Sequence, residues 1–414
     1  MKKILLTTLI AAGMAGRLCA ATAEDSKIFT PFFDMTLSQA AYMPSEGNIF
    51  SGANINTQVG LLSKITQKDH LFGLYSFNYS GAGFAPQDSK QFTDRTMAHS
   101  FNFEYRRNII DRLRVRPGVS FGRDYSRTGA NEAWKNGLYN TKSSGLQLAA
   151  DYNFDTEKNG VVTLAYLVKK VEFPNYTDLL SEFQNVSNPH SVDGGLNDQS
   201  LKQVSLRPVW GKWFGGVTYT QQDFKNQKVV DLTSLNTAGY SDTAQKDKTT
   251  AFDVGFHHKL WIFELYPTLT YTQRRSNQNF LRFKSLGATS ADFTSGTSDV
   301  YFVAKNYDYN ETAFSVPLDL NITGKWAVGG SLNVVSREYT DRPKRDANNN
   351  YIAGTKQKNL MTTMTGSIRK RINEVAMVRL YYSLIVAKSN CEFEQYMPYN
   401  YTGNSLGLAY QLSY

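Results

Sequence analysis

Cysteine is almost absent from this chain of 414 residues, which contains only Cys19 and Cys391. Cys19 lies in an N-terminal leader that is expected to be removed, and Arg17 close before it makes a poor lipid-attachment site. The remaining thiol can form neither an intramolecular disulfide nor a site that needs several cysteine ligands. The fold is therefore expected to be stable without disulfides, and neither a metal nor a cofactor is implied.

Long apolar runs are also missing, because no run of about 18 apolar residues, the length that a membrane-spanning helix needs, follows the leader. The mean hydropathy is -0.41. The formal net charge of +9 is small and is spread over the whole length. It lacks the clustered basic face of nucleic-acid-binding proteins. A membrane-spanning helix is therefore not expected, and neither is a nucleic-acid partner.

The N-terminus has the features of a secretory signal peptide. Lys2 and Lys3 precede an apolar run that is too short to span a bilayer. Ala21 and Ala23 then have the spacing of small residues that a signal peptidase accepts. The sequence predicts a signal peptide over residues 1–23 and export of the rest.

From residue 32 onward the chain repeats one pattern, in which about ten residues with apolar side chains at every second position are followed by a turn or polar loop. A period of two indicates β-strands with one apolar and one polar face. The pattern occurs sixteen times and predicts an all-β fold. The predicted strands lie near 32–43, 53–65, 70–80, 92–107, 112–125, 143–154, 160–173, 201–210, 213–224, 248–259, 262–274, 309–322, 326–338, 359–371, 375–388 and 403–414.

The links between these strands alternate in length. Short links lie at 66–69, 109–111, 155–159, 211–212, 260–261, 323–325 and 372–374, and long polar links, such as 174–200, 225–247, 276–307 and 340–358, lie between them. Short turns on one side and long loops on the other are typical of a closed antiparallel barrel that crosses a membrane. An even strand number returns the C-terminus to the side of the short turns.

Four prolines lie within predicted strands, at Pro117, Pro208, Pro267 and Pro317. Each removes one hydrogen-bond donor from a sheet that has no free edge. They are expected at bulges or frayed ends near the short turns, and they leave fourteen as an alternative strand count.

Tryptophans are placed on one side of the predicted sheet. Trp210, Trp213, Trp261 and Trp326 all flank short turns, whereas Trp134 lies in a long loop. An indole prefers the bilayer interface, where its ring is buried and its N–H is hydrated. The first four are expected to form an interface girdle at the short-turn side.

These features, together with 25 Tyr and 25 Phe, resemble those of bacterial outer-membrane β-barrel proteins over essentially all of residues 24–414. The resemblance implies a closed antiparallel transmembrane barrel in outer-membrane lipid, with periplasmic turns and outer loops. The alternating last strand, with Tyr410, Leu412 and Tyr414, resembles the signal that the barrel-assembly machinery reads in that class. The class implies fold and location but no particular solute.

Charged residues in mid-strand are expected to face the barrel interior, because Arg or Lys on the lipid face costs roughly 2 to 4 kcal/mol at the midplane. This rule gives a basic interior set of Lys64, Arg106, Arg112, Arg114, Arg116, Arg123, Lys169, Arg207, Lys259, Arg274, Arg337, Arg369, Arg371 and Arg379. The acidic set is Asp34, Glu104, Asp151, Asp253, Glu264 and Asp319. The excess of basic residues predicts a weak anion preference, while pairing of these charges across strands, as a brace for a water-filled wall, is the alternative.

A porin-like pore for passive diffusion of small hydrophilic solutes is the expected function, because sixteen strands leave an aqueous channel. The third long loop, residues 128–142, lies where general porins place a constriction loop. A homo-oligomer is compatible with the apolar outer wall. The main alternative is a surface-structural or adhesin-type protein with exposed recognition loops. Catalysis is not expected, since neighbours in a strand such as His99 and Ser100 point to opposite faces.

Overall fold

The computed structural model describes residues 28–45, 49–82, 94–127, 133–177, 194–231, 240–283, 300–393 and 399–414. The predicted signal peptide and the start of the third long loop lie outside the described residues. In the described part of the chain, no helix is long and apolar enough to cross a membrane.

The described residues are almost entirely β-structure, with one short 3-10 helix at Trp134–Asn136. The strands are β1 (Phe29–Pro44), β2 (Phe50–Lys64), β3 (Asp69–Ala82), β4 (Arg95–Ile110), β5 (Leu113–Arg127), β6 (Thr141–Asp155), β7 (Gly160–Glu172), β8 (Gln199–Trp210), β9 (Trp213–Val230), β10 (Tyr240–Phe256), β11 (His258–Leu260), β12 (Phe263–Leu265), β13 (Thr268–Ser276), β14 (Phe280–Phe283), β15 (Val300–Val303), β16 (Tyr309–Asn321), β17 (Trp326–Tyr339), β18 (Lys358–Arg371), β19 (Ala376–Ser389) and β20 (Tyr401–Ser413).

The main sheet closes on itself. Each strand pairs antiparallel with its neighbours, and β1 pairs with both β2 and β20. β11 continues the line of β10, and β12 and β13 form one interrupted strand, since both pair with β16. The barrel therefore has sixteen strand positions, and β14 and β15 form a separate hairpin. The predicted count of sixteen is confirmed, and the alternative of fourteen is wrong.

The alternation of link lengths is also confirmed. Residues 65–68, 111–112, 156–159, 211–212, 261–262, 322–325 and 372–375 form the short turns, and the longer links all lie at the other end of the barrel. Side chains close several of these turns. Thr66 Oγ1 donates to Asp69 Oδ2 at 2.6 Å, and the Ala376 N–H donates to Asn373 Oδ1 at 2.7 Å. Such local bonds let the chain reverse without a long loop.

One face of the sheet is an exposed apolar belt. Leu146 is 66% exposed and Leu408 is 56% exposed, and both alternate along their strands with polar or small residues. The belt is continuous across neighbouring strands, because the strand register pairs Leu408 with Leu380 and Tyr410 with Leu37. An apolar surface of this extent around a closed sheet is stable in lipid. The opposite face, which carries most of the strand charges, lines the barrel interior.

The four strand prolines produce interruptions of hydrogen bonding and no bulges. Beside Pro117, Pro208 and Pro317, the hydrogen-bonded pairing with one of the two neighbouring strands is interrupted. The pairing resumes in the same register on the other side of each proline. Pro267 separates β12 from β13, which also keep one register against β16. The expected bulges are wrong at these positions, since loss of one N–H donor removes a bond without adding a residue.

Candidate pore lining

Strand alternation places most of the predicted charges on the interior face. On β5, Arg114 and Arg116 alternate with residues of the apolar face, and Phe121 on that face is 55% exposed. The residues that fall on the interior face in the same way are Lys64, Glu104, Arg106, Asp151, Lys169, Arg207, Asp253, Lys259, Glu264, Arg274, Asp319, Arg337, Arg369, Arg371, Arg379 and Asp34. Arg112 lies in the turn before β5 and is exposed.

The interior assignment of Arg123 is wrong. Arg123 has the same parity on β5 as Phe121, and it is paired with His99, which lies on the outward face of β4. The rule that sends charges inward applies at the membrane midplane, and the penalty falls toward zero near the interface. Arg123 is close to the outer end of β5, where an outward charge can reach water or lipid headgroups.

A cluster of four charges braces the wall across β4, β5 and β6. Arg106 Nε donates to Glu104 Oε1 at 2.6 Å, and Arg116 donates to Glu104 Oε2 at 3.1 Å and to Asp151 Oδ1 at 2.9 Å. Thr163 Oγ1 also donates to Asp151, at 2.8 Å. Glu104 is buried. Because each carboxylate accepts charge-assisted bonds from neighbouring strands, the cluster fixes their relative position.

Three further predicted pairs lie elsewhere on the wall. Arg369 lies 2.6 Å from Asp319, Lys259 lies 3.1 Å from Glu264, and Arg207 lies 3.9 Å from Asp253. Lys259 and Glu264 lie on neighbouring strands, and each of the other two pairs spans one intervening strand. Pairing therefore neutralises a large share of the predicted basic set.

Three other interior cations, Arg114, Arg371 and Arg379, have no carboxylate partner among the described residues. Arg114 Nε instead donates to Asn108 Oδ1 at 2.9 Å, and the guanidinium of Arg379 lies 5.2 Å from the ring centroid of Tyr381. Arg371 is the last residue of β18 and is exposed. These three residues lie near the short-turn end, on β5, β18 and β19. Asp34, which accepts bonds from Gln411 and Ser413, also lies on the interior face at this end. Positive charge still exceeds negative charge on the described interior surface there.

The sequence reading missed two interior acids near the outer end. Arg274 lies 2.5 Å from Asp247, and Arg337 Nε donates to Glu311 Oε2 at 2.7 Å. Asp247 is 1% exposed and Glu311 is 2% exposed. Glu311 has the parity of Asp319 on the same strand, so alternation alone could have found it. Asp247 is the last residue of the predicted link 225–247. In the structure β10 begins at Tyr240, before the apolar alternation of this strand begins, and so includes Asp247.

Loop residues cover this part of the interior. Arg342 Nε donates to the Asn306 carbonyl at 3.0 Å, and its guanidinium lies 3.8 Å from the ring centroid of Tyr339 and 5.8 Å from that of Tyr307. Burial raises the pKa of Tyr307 and that of Asp308, which accepts a 2.6 Å bond from the Ser276 N–H. We call Asp247, Arg274, Tyr307, Asp308, Glu311, Arg337 and Arg342 the outer polar cap.

The described part of the third long loop packs on its neighbours. The guanidinium of Arg127 lies 5.0 Å from a ring centroid of Trp134. Asn175, just after β7, donates to the carbonyls of Lys135 and Gly137 at 2.8 and 3.0 Å. The rings of Tyr139 and Tyr176 are 5.5 Å apart. These contacts tie the loop to the outer ends of β5 and β7, and its predicted role in constriction stays a prediction.

Four of the tryptophans and the C-terminus lie at the short-turn end. Trp210, Trp213, Trp261 and Trp326 are exposed beside short turns, and Trp210 Nε1 donates to Asp155 Oδ2 at 3.0 Å. Tyr410 and Leu412 lie on the outward face of β20. Tyr414 follows that strand, and its backbone exchanges two hydrogen bonds with Phe33, at 2.7 and 2.8 Å.

No catalytic arrangement of histidines is present among the described residues. His99 Nδ1 is 2.8 Å from the hydroxyl of Tyr75, and the ring of His257 stacks on that of Tyr266 with centroids 4.5 Å apart. His190 lies outside the described residues. The described residues also contain no group of three His, Cys, Asp or Glu side chains with metal-binding geometry.

A closed sheet of sixteen strands, with an apolar outer belt, a charged interior and short turns at one end only, defines a bacterial outer-membrane β-barrel protein. Its location in the outer membrane follows from the same features. No protein-family model and no curated protein sequence matches the chain.

Several solved structures are similar in overall form. OmpT of Vibrio cholerae without its loop L8 is 13% identical, with a TM-score of 0.47, over 94% of this chain and 100% of that chain. OpdK, an outer membrane protein of Pseudomonas aeruginosa, is 10% identical, with a TM-score of 0.40, over 93% and 99%. The monoaromatic hydrocarbon channel CymD is 8% identical, with a TM-score of 0.39, over 93% and 88%. TM-scores this low carry no argument about function, which must follow from this chain's own residues.

Proposed function

We propose that this protein is a passive, water-filled diffusion pore for small hydrophilic solutes, with a weak preference for anions. The observation that carries the proposal is the surplus of interior cations near the short turns, at Arg114, Arg371 and Arg379. A sixteen-stranded barrel is too wide for its own side chains to fill. Fixed positive charge on the wall of such a channel raises the local concentration of anions.

The ion pairs explain why the preference is expected to be weak. Arg106, Arg116 and Arg369 each lie beside a carboxylate. A paired guanidinium contributes little net field at the channel axis, because its partner cancels most of its charge. These residues act mainly as a brace for the wall, and selectivity is left to the unpaired cations.

The outer polar cap supports a limit on solute size. Tyr307 and Arg342 cover interior positions near the outer ends of β10 and β16, where Asp247 and Glu311 are buried. A solute that enters from outside would have to pass beside this cap. The function requires no cofactor and no catalytic residue, and a homo-oligomer remains compatible with the apolar outer wall.

The test is single-channel conductance of the refolded protein in a planar bilayer, with the reversal potential measured in a salt gradient. We expect stable steps that favour anions. The variant Arg114→Ala/Arg371→Ala/Arg379→Ala should move the reversal potential toward zero. The matched control, Lys202→Ala/Lys358→Ala/Lys388→Ala, removes three outward cations and should leave the reversal potential unchanged.

An equal shift in both variants would contradict the assignment of the three arginines to the conducting wall. A folded, heat-modifiable barrel that never conducts would contradict the pore itself. It would favour the alternative, a surface-structural or adhesin-type protein, for which the long polar outer loops are the supporting feature.

A further inference from the structure

The outward face of β4–β7 carries charge at its outer end, immediately beyond the apolar belt. On β4 and β5, Phe101 and Phe121 belong to the belt, and His99 and Arg123 lie two residues closer to the outer loops. On β6, Lys142 occupies the corresponding position, paired with Arg123. This level of the barrel is where the hydrocarbon of the outer leaflet gives way to its headgroups.

These strands form a shallow groove of about 460 Å³ that opens away from the barrel. Its charged lining consists of Arg123, Lys142, Lys170 and Glu172. Lys142 is paired with Glu172 in the sheet, and Lys170 Nζ lies 2.5 Å from Glu172 Oε1. One carboxylate thus faces three cations, and the groove keeps a net positive charge.

The lower part of the groove is apolar and aromatic. Phe101, Phe121 and Tyr75 contribute to its lining, and the Tyr75 hydroxyl is held by His99. An occupant that fits both parts combines an anionic group with an apolar portion. Such a molecule would place its charge among the cations and its apolar portion along the belt.

The groove lies on the basic side of an asymmetric barrel. Further outward cations near the outer ends of β8 and β10 are Lys202, Lys246 and Lys248. By contrast, the outward face of β1, β2, β3 and β20 carries no charged residue at its outer end in the described part of the chain. On the far side of the barrel, Lys358 and Lys388 are also outward cations at the outer ends of β18 and β19, but Glu338 lies 3.2 Å from Lys358. Charge complementarity therefore favours the sector of the groove most for an anionic neighbour.

We propose that this groove binds the phosphate-bearing headgroup of an outer-leaflet lipid. Arg forms bidentate bonds with phosphate, and Lys binds it as a compact charge. The groove faces the membrane, so a lipid reaches it by lateral diffusion, whereas a solute in water meets the barrel at its open ends. The lipid would then order the outer ends of β4–β7.

The experiment measures lipid retention by native mass spectrometry, with purified protein in dodecyl maltoside micelles that contain lipid A or phosphatidylcholine. We expect wild type to retain lipid A in preference to phosphatidylcholine. Arg123→Ala/Lys142→Ala should weaken retention by about fivefold for each cation removed, the usual value of a basic residue near an anionic membrane surface. Lys358→Ala/Lys388→Ala, outward cations on the far side of the barrel, should retain lipid A as wild type does.

Equal retention by the two variants would overturn the proposal. If inorganic phosphate alone raises the melting temperature as much as lipid A does, the groove binds a free anion and the lipid proposal is wrong. Arg123→Gln/Lys142→Gln, which keeps more of the side-chain volume, provides a second test if the alanine variant does not fold. Retention in micelles does not require conduction, so this result is independent of whether the barrel is an open pore.

Discussion

At the scale of single residues, the interior wall depends on glycines that make room for aromatic rings on the neighbouring strand. Gly407 is paired with Tyr381, and a Cβ at Gly407 would overlap the tyrosine ring. Gly60 and Phe32, which are also paired, have the same relation. The rings lie over the backbone where it lacks a side chain, which keeps them against the wall.

Gly407→Ala is therefore expected to destabilise the barrel by roughly 1 to 3 kcal/mol, the usual cost of overpacking. The measurement is reversible guanidinium unfolding of protein refolded into liposomes. Gly366→Ala is the matched control, because a Cβ at Gly366 meets nothing within 4 Å. Tyr381→Ser in the same chain as Gly407→Ala should recover most of the loss. A cost at Gly366 equal to that at Gly407 would contradict the steric explanation.

Residue alternation predicted the interior charges because the geometry of a strand has a period of two. Arg114 and Arg369 could be assigned in this way from the sequence alone. Arg123 could not, because the cost of an outward charge depends on depth in the membrane, and sequence alternation does not report depth. The individual ion pairs could not be predicted from the sequence either, since Arg369 and Asp319 are separated by 50 residues and by one intervening strand.

At the scale of elements, the strands were predictable and the loops were not. Each barrel strand has a local alternation of apolar and polar residues, and each short turn has local polar residues. The hairpin of β14 and β15 lies within the predicted link 276–307 and was not predicted. The outer polar cap instead joins distant parts of the chain, as in the bond that Arg342 donates to the Asn306 carbonyl and the bond that Asp308 accepts from the Ser276 N–H, at 3.0 and 2.6 Å. No periodic pattern records such contacts.

The cap should respond to pH through Asp308. Burial raises the pKa of this carboxyl above its ordinary value of 3.8. The contribution of the neutral carboxyl to the stability of the folded cap is therefore fully present below pH 3.8. It is lost as the pH rises through the higher pKa of the folded state. Asp308→Asn keeps an oxygen that can accept the Ser276 N–H and removes the charge, so it should stabilise the cap at neutral pH and make no difference at low pH.

The measurement is hydrogen exchange of residues 276–283 and 305–308, corrected for intrinsic rates, in wild type and Asp308→Asn at pH 4 and pH 7. Slower exchange in the variant at pH 7 alone is expected. Slower exchange in wild type at pH 7 would show that the carboxylate stabilises the cap and would contradict the sign of the effect.

At the scale of the whole molecule, closure depends on the two ends of the chain. β1 and β20 pair along most of their length, and beyond β20 the backbone of Tyr414 exchanges bonds with Phe33. Stability of the closed barrel thus needs the Tyr414 backbone, whereas the tyrosine side chain is 79% exposed. This difference separates a role in folding from a role in recognition by the assembly machinery.

If the side chain is the aromatic signal that the sequence predicts, Tyr414→Ala should refold in detergent with wild-type heat-modifiability, because its backbone bonds to Phe33 are unchanged. In cells, the same variant should reach the outer membrane in lower amounts, and Tyr414→Phe should behave as wild type. Fractionation of the two membranes gives the cellular measurement, and gel mobility without boiling gives the folding measurement. Equal loss of both properties in Tyr414→Ala would assign the residue to barrel stability. Normal insertion of this variant would show that the signal lies earlier in the chain, at Tyr410 and Leu412 of β20.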